Sequence, residues 1–240
     1  MILLVAKFMS KQLSHAIALV VGIATTASSS IASDDTFTIN GQPINPLCLA
    51  LAYDTSFTRY LDQPRDQNIN SILDLNACQA SSTKGRMILN PKEADVCGNF
   101  LRKSGKQFAA YHFPWGLNDD FDMTQRRGCI SYEYIGKSKS RIDVLHIRNF
   151  GGGTGRFSNI MLVKRIPMKR YNFNEKLGPQ WDKENFIGLL NVGEIPGGDR
   201  SSGSFIEINL IGNKLSGTRY SPKNNATAGD KKEGFSFQLP

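Results

Sequence analysis

Apolar and polar positions alternate most clearly between Ser140 and Ile166, where two apolar runs, SRIDVLHIRNF and RFSNIMLVKRI, flank the loop GGGTG. Alternation with a period of two marks strands. Gly151, Gly152, Gly153 and Gly155 can adopt the φ > 0 conformations that a tight reversal demands and that a Cβ resists. The pattern therefore predicts a long β-hairpin at the centre of a sheet. Within it Ile142 and Val144 point one way while Leu145 and Ile147 point the other, and Phe157, Met161 and Val163 oppose Ile160, Leu162 and Ile166 in the same sense. Apolar side chains on both faces predict a sheet covered, at least in part, on both sides.

Further strands are predicted at Gln107–Phe113, Cys129–Ile135, Phe186–Ile195, Phe205–Ile211 and Phe235–Leu239, which are aromatic or β-branched and separated by turn residues. In Phe205–Ile211, Ile206, Ile208 and Leu210 alternate with Glu207 and Asn209, so one face meets water; Phe235, Phe237 and Leu239 form the buried face of the last strand. Leu47–Tyr53 is apolar but too short for periodicity to separate a helix from a buried strand. The best helix covers 91–103: Asn90 can cap it, Pro91 suits its first position, Glu93 completes a capping box and Gly105 ends it. Ala94, Cys97, Phe100 and Leu101 then share one face. The sum is a mainly β chain: an antiparallel β-sandwich or barrel-like domain with one short helix and a disulfide-bridged N-terminal lobe. Residues 33–105 form the loop-rich lobe and 106–240 the antiparallel sheet, within a single domain. No internal repeat at the ~40-residue period of a propeller is present.

Residues 1–32 read as a signal peptide. Lys11, the apolar run Ala16–Ala24 and a small, polar stretch to Ala32 follow in the order of a secretory leader, with Ala32 as the expected cleavage point and Ala27 as a second one. A start at Met9 gives a leader of more usual length. The apolar run is far shorter than the ~20 residues a membrane-spanning helix needs, so no membrane span is expected after cleavage. The address is periplasmic or secreted. In such a compartment the four cysteines, Cys48, Cys78, Cys97 and Cys129, are expected in two disulfides. Chain order favours Cys48 with Cys78 and Cys97 with Cys129, although three pairings are open. A zinc site is disfavoured because no two cysteines have the close spacing of zinc ligands.

The formal charge of +8 draws such a protein towards anionic surfaces. Lys164, Arg165, Lys169 and Arg170 are the densest basic run, and hairpin geometry can bring Lys137, Lys139 and Arg141 near them. No nucleic-acid module is recognisable, and none is expected as partner. Two glycine segments are the other candidates. Backbone N–H groups of Gly151, Gly152 and Gly153, with Arg156 beside them, can form an anion nest, although a plain hairpin turn accounts for the same residues. Asp199 and Arg200, in GGDRSSG, can contribute an anion-binding group, and Ser201 or Ser202 a nucleophile. A serine nucleophile needs a base, and beyond the leader only His112 and His146 can act as one. The acidic run Asn118–Asp122 suits calcium by composition but lacks the spacing of an EF-hand loop. No metal or cofactor is expected.

The order of GGGTG-x-F-S (Gly151–Ser158), GGDR (Gly197–Arg200) and a GN-x-L turn (Gly212–Leu215), preceded by PLC (Pro46–Cys48) and DLNAC (Asp74–Cys78), resembles a group of small exported Gram-negative bacterial proteins of unknown function. The resemblance spans roughly residues 44–221 and implies an exported, bacterial, β-rich protein; it carries no activity and no site residues. Such proteins often have a cysteine after GGDR where Ser201 stands here. The expected function is non-enzymatic binding of an anionic envelope component or a host partner. The alternatives are an extracytoplasmic hydrolase with its site near the GGDRSS turn, and a protein inhibitor.

Overall fold

In chain order the strands are β1 (Thr38–Ile39), β2 (Gln42–Pro43), β3 (Ile72–Asp74), β4 (Arg86–Ile88), β5 (Phe108–Pro114), β6 (Arg127–Lys137), β7 (Asp143–Phe150), β8 (Arg156–Asn174), β9 (Gln180–Asp199), β10 (Phe205–Ile211), β11 (Lys214–Ser221) and β12 (Lys231–Gln238). The helices are α1 (Pro46–Tyr53) and α2 (Leu75–Ser81), with a 3₁₀ turn at Thr55–Tyr60. The structure is a computed structural model that describes residues 36–62, 72–82, 85–90, 93, 107–114, 127–150, 156–174, 180–199, 205–221 and 231–240. All of them belong to one compact unit, Asp34–Pro240.

The central hairpin forms as its alternation predicts. β7 pairs antiparallel with β8, from Asp143 opposite Val163 to Phe150 opposite Arg156. It lies in the middle of a seven-stranded antiparallel sheet of order β3-β9-β8-β7-β6-β5-β4. β10, β11 and β12 make a separate three-stranded sheet, and β1 with β2 a short ribbon. The chain is thus mainly β and sandwich-like. β8 and β9 are much longer than the apolar runs that announce them, pairing from Phe157 opposite Asp199 to Asn174 opposite Gln180. Register shifts at Ser158/Asn159 and Leu162/Val163 let so long a pair bend with the sheet.

Both faces of the hairpin are covered, and the alternation sorts its side chains between two cores. Ile142, Val144, Ile160 and Leu162 pack with Ile206, Leu215 and Leu239 of the second sheet. Leu145, Met161 and Val163 share the larger core with Tyr132 and Tyr134 of β6 and with Leu47, Leu49 and Leu51 of α1. Burying a leucine contributes roughly 1.5–3 kcal/mol. Helices shorter than ~12–15 residues are marginal alone, so α1 is held by its packing.

Local chemistry explains why Leu47–Tyr53 is a helix. Asn45 caps it, its side chain accepting from the Leu47 N–H at 2.9 Å, and Pro46 occupies the first turn. Leucine and alanine then extend it, with no β-branched residue to favour a strand. α2 was not anticipated. Asp74 caps it by accepting from the Ala77 N–H at 3.0 Å. Cys48 of α1 and Cys78 of α2 form the expected disulfide, closing a separation of 30 residues. Cys129 is also disulfide-bonded; Cys97 lies outside the described residues.

Three expectations are revised or left aside. The described helices are two, both in the N-terminal lobe. The helix expected over 91–103 lies outside the described residues except Glu93, whose N–H donates to the Asn90 carbonyl at 3.0 Å while Asn90 Nδ2 donates to Glu93 Oε1 at 3.1 Å. Leu239, just after β12, is buried, but Phe237 is 37% exposed, its ring stacked on Phe235, because β12 is the edge strand of its sheet.

Candidate functional site

Where the N-terminal lobe meets the sheet, α1 and the 3₁₀ turn stop short of one end of the hairpin and leave a cavity of about 280 Å³. Strand register decides what faces it. Ile130, Asn149 and Phe157 form one cross-strand row, Ile147 and Asn159 the next, and Met161 with Glu194 a third. All of these line the cavity, with Leu49, Ala50 and Tyr53 of α1 and Phe57 of the 3₁₀ turn opposite them. The turn is pinned by rings: Phe57 meets Phe113 edge-on at 5.8 Å, and Tyr60 lies 4.8 Å from Phe113. Tyr53 and Phe157, 65% and 54% exposed, form the rim.

The walls are mainly apolar, with a few polar groups among them. Asn149 Oδ1 is buried without a hydrogen-bond partner among the described residues. Leaving such an acceptor unpaired costs about 1–3 kcal/mol. Burial pushes the Glu194 carboxyl above the usual carboxylate range, since a desolvated carboxylate resists ionising. Asn159 adds a further amide. This composition, an apolar enclosure with a few directional polar groups, is that of a small-molecule site.

The described strands that flank the glycine segments end at the same end of the sheet. Gly151, Gly152 and Gly153 lie outside the described residues, but the strands they join end beside the cavity: Asn149 and Phe157 are register partners two steps before and after the loop. Arg156 opens β8 opposite Phe150, and Asp199 ends β9 opposite Phe157. Arg200, Ser201 and Ser202 lie outside the described residues, as does Asn118–Asp122.

The basic run is dispersed by the register of β8. Arg165, its side chain 14% exposed, donates to Asp143 at 2.9 and 3.1 Å and to the Thr38 carbonyl at 2.8 Å, with its guanidinium 5.3 Å from the Phe37 ring. Lys137 approaches the same carboxylate at 3.8 Å, and the Tyr134 hydroxyl donates to it at 3.1 Å. Arg170 donates to Glu184 at 2.8 Å and to Asp74 at 3.0 Å. Asp74 thus caps α2 with one oxygen and holds the long hairpin with the other. Lys164 and Lys169 are exposed, as are Lys139 and Arg141. Arg165 and Arg170 therefore clamp the fold, whereas Lys164 and Lys169 face solvent.

Of the histidines, His146 is buried in β7, opposite Ile160 and Glu133, on the face away from the cavity. Burial, aided by the Arg148 charge, pushes its pKa down to about 3. His112 lies in β5 opposite Cys129 and Arg86. Among the described residues no histidine lines the cavity, and no cluster of three or more metal-binding side chains occurs.

The lining residues Asn149, Asn159 and Glu194 were not singled out from sequence. The signal was available: each is a polar residue at an inward position of a covered strand face. Comparison with family models, curated proteins and solved structures finds no match. Among the described residues no helix is long and apolar enough to cross a membrane.

Proposed function

We propose that this is an exported, non-enzymatic binding protein whose ligand is a small, largely apolar molecule seated between α1 and the β7–β8–β9 end of the sheet. The observation that carries the reading is the cavity itself, of about 280 Å³, with Asn149 Oδ1 buried and unpartnered in its wall. The disulfide between Cys48 and Cys78 is compatible with an extracytoplasmic setting. The leader-like N-terminus and the resemblance to exported Gram-negative proteins support a periplasmic or secreted address. The charge of +8 supports attraction to an anionic envelope or host surface, with Lys164 and Lys169 as the exposed members of the basic run. A binding role is favoured over hydrolysis because the described lining pairs no histidine with a nucleophile.

Isothermal titration of the mature chain with 2-phenylethanol tests the site. Saturable one-to-one binding is expected, and Ala50→Trp, which fills the cavity from α1, should abolish it while the protein stays folded by circular dichroism. Absence of saturation in the unaltered protein, or undiminished binding by a folded Ala50→Trp variant, would remove the proposal.

A further inference from the structure

Resting on that reading, we infer that the ligand carries a protonated amine on a single apolar or aromatic body, with Glu194 as its counter-ion. Glu194 fixes the sign of the ligand, because Asn149 and Asn159, the other polar residues lining the cavity among those described, are amides that offer donors as well as acceptors. No lysine or arginine is among the described lining residues. A cationic donor satisfies Glu194, whereas a carboxylate or phosphate would place a second negative charge beside it in apolar surroundings.

The walls support the same sign. Tyr53, Phe57 and Phe157 present aromatic rings to the space, and ring faces attract cations as well as packing against other rings. The volume of about 280 Å³ falls just below the roughly 300–1,000 Å³ typical of ligand sites, which suits a one-ring amine. The chain as a whole is positively charged, so long-range electrostatics disfavours a cationic ligand. Selection for an amine must therefore come from the cavity, and Glu194 is the acidic residue lining it among those described.

Three probes of matched shape decide the matter: phenethylamine, 2-phenylethanol and 3-phenylpropionate, titrated calorimetrically into the mature chain at neutral pH. The expected order is amine, then alcohol, then acid, with the amine at least tenfold tighter than the alcohol. Glu194→Gln should abolish the difference between amine and alcohol; a folded Gln variant that keeps the amine preference would overturn the role of Glu194. The order in the unaltered protein stands as a test without the variant. Alcohol binding as tight as or tighter than amine would overturn the inference while leaving the proposed function in place. Saturation by none of the three would overturn both.

Discussion

The two faces of the central sheet are built from the same strands yet are covered in different ways. On one, a second sheet lays Ile206, Leu215 and Leu239 against Ile142, Val144, Ile160 and Leu162. Side chains of two sheets interdigitate along their length. On the other, two short helices and a 3₁₀ turn, tied by the Cys48–Cys78 bridge, cover only part of the strand length and leave a cavity at one end. On the first face His146 is buried, along with Ser131 and Glu133, and is held neutral, whereas Asn149 and Glu194 on the second are among the residues lining the cavity. A continuous layer makes a core, and a discontinuous one can make a site.

The contrast can be broken from either side. The largest effect is expected from Arg165→Ala on the helical face. Asp143, its side chain 1% exposed, would lose its closest partner, and removing one member of a buried pair costs about 3–5 kcal/mol. Urea unfolding should register the loss; a change below about 1 kcal/mol would show that Lys137 and Tyr134 suffice for Asp143. Replacing Cys48 and Cys78 together by alanine should cost about 2–4 kcal/mol through the loop they close. Reduction of the native protein should cost at least as much, because the bridge at Cys129 opens with it.

The sheet-covered face has an acid signature. His146 has a folded pKa near 3 against an ordinary 6.5, so the unfolded chain takes up a proton that the folded chain refuses. Stability from this group is complete above pH 6.5 and falls as the pH drops towards 3, by up to about 1.4 kcal/mol per pH unit. His146→Leu should flatten that slope in pH-dependent unfolding. Glu194 acts in the opposite direction: its raised pKa means that its charge opposes folding above the ordinary carboxylate range, and protonation at lower pH relieves the cost. The smallest effects compare space on the two faces. Val144→Phe, in the filled core, should cost about 1–3 kcal/mol by overpacking, whereas Ala50→Leu, beside the cavity, should change stability by less than about 1 kcal/mol.

Much of the architecture was legible because period-two alternation is a direct consequence of strand geometry. Ile142 and Val144 fell to one core and Leu145 and Ile147 to the other, as their spacing requires. The short elements were harder. Asn40-Gly41, between β1 and β2, has positive φ at both positions (51° and 75°), the signature of a two-residue hairpin, but two-residue strands leave no alternation to notice. α1 and α2 are too short for a helical period, and the signals left were local: the caps Asn45 and Asp74, and Pro46 in the first turn of α1. The basic run shows what sequence proximity conceals. Arg165 and Arg170 find carboxylates at Asp143, Asp74 and Glu184, the first two far away in sequence. The cavity was illegible for a related reason: its rows join Ile130, Asn149, Phe157 and Glu194 across four strands and close only when α1 docks.

The most direct measurement is a methyl-resolved NMR titration with phenethylamine. Methyl groups of Leu49, Ile130, Ile147 and Met161 should shift along one saturating curve, while those of Val144, Ile160 and Leu162 on the opposite face stay still. Shifts on both faces, or none beyond those of surface residues near Lys164 and Lys169, would contradict a ligand site between the helical lobe and the sheet.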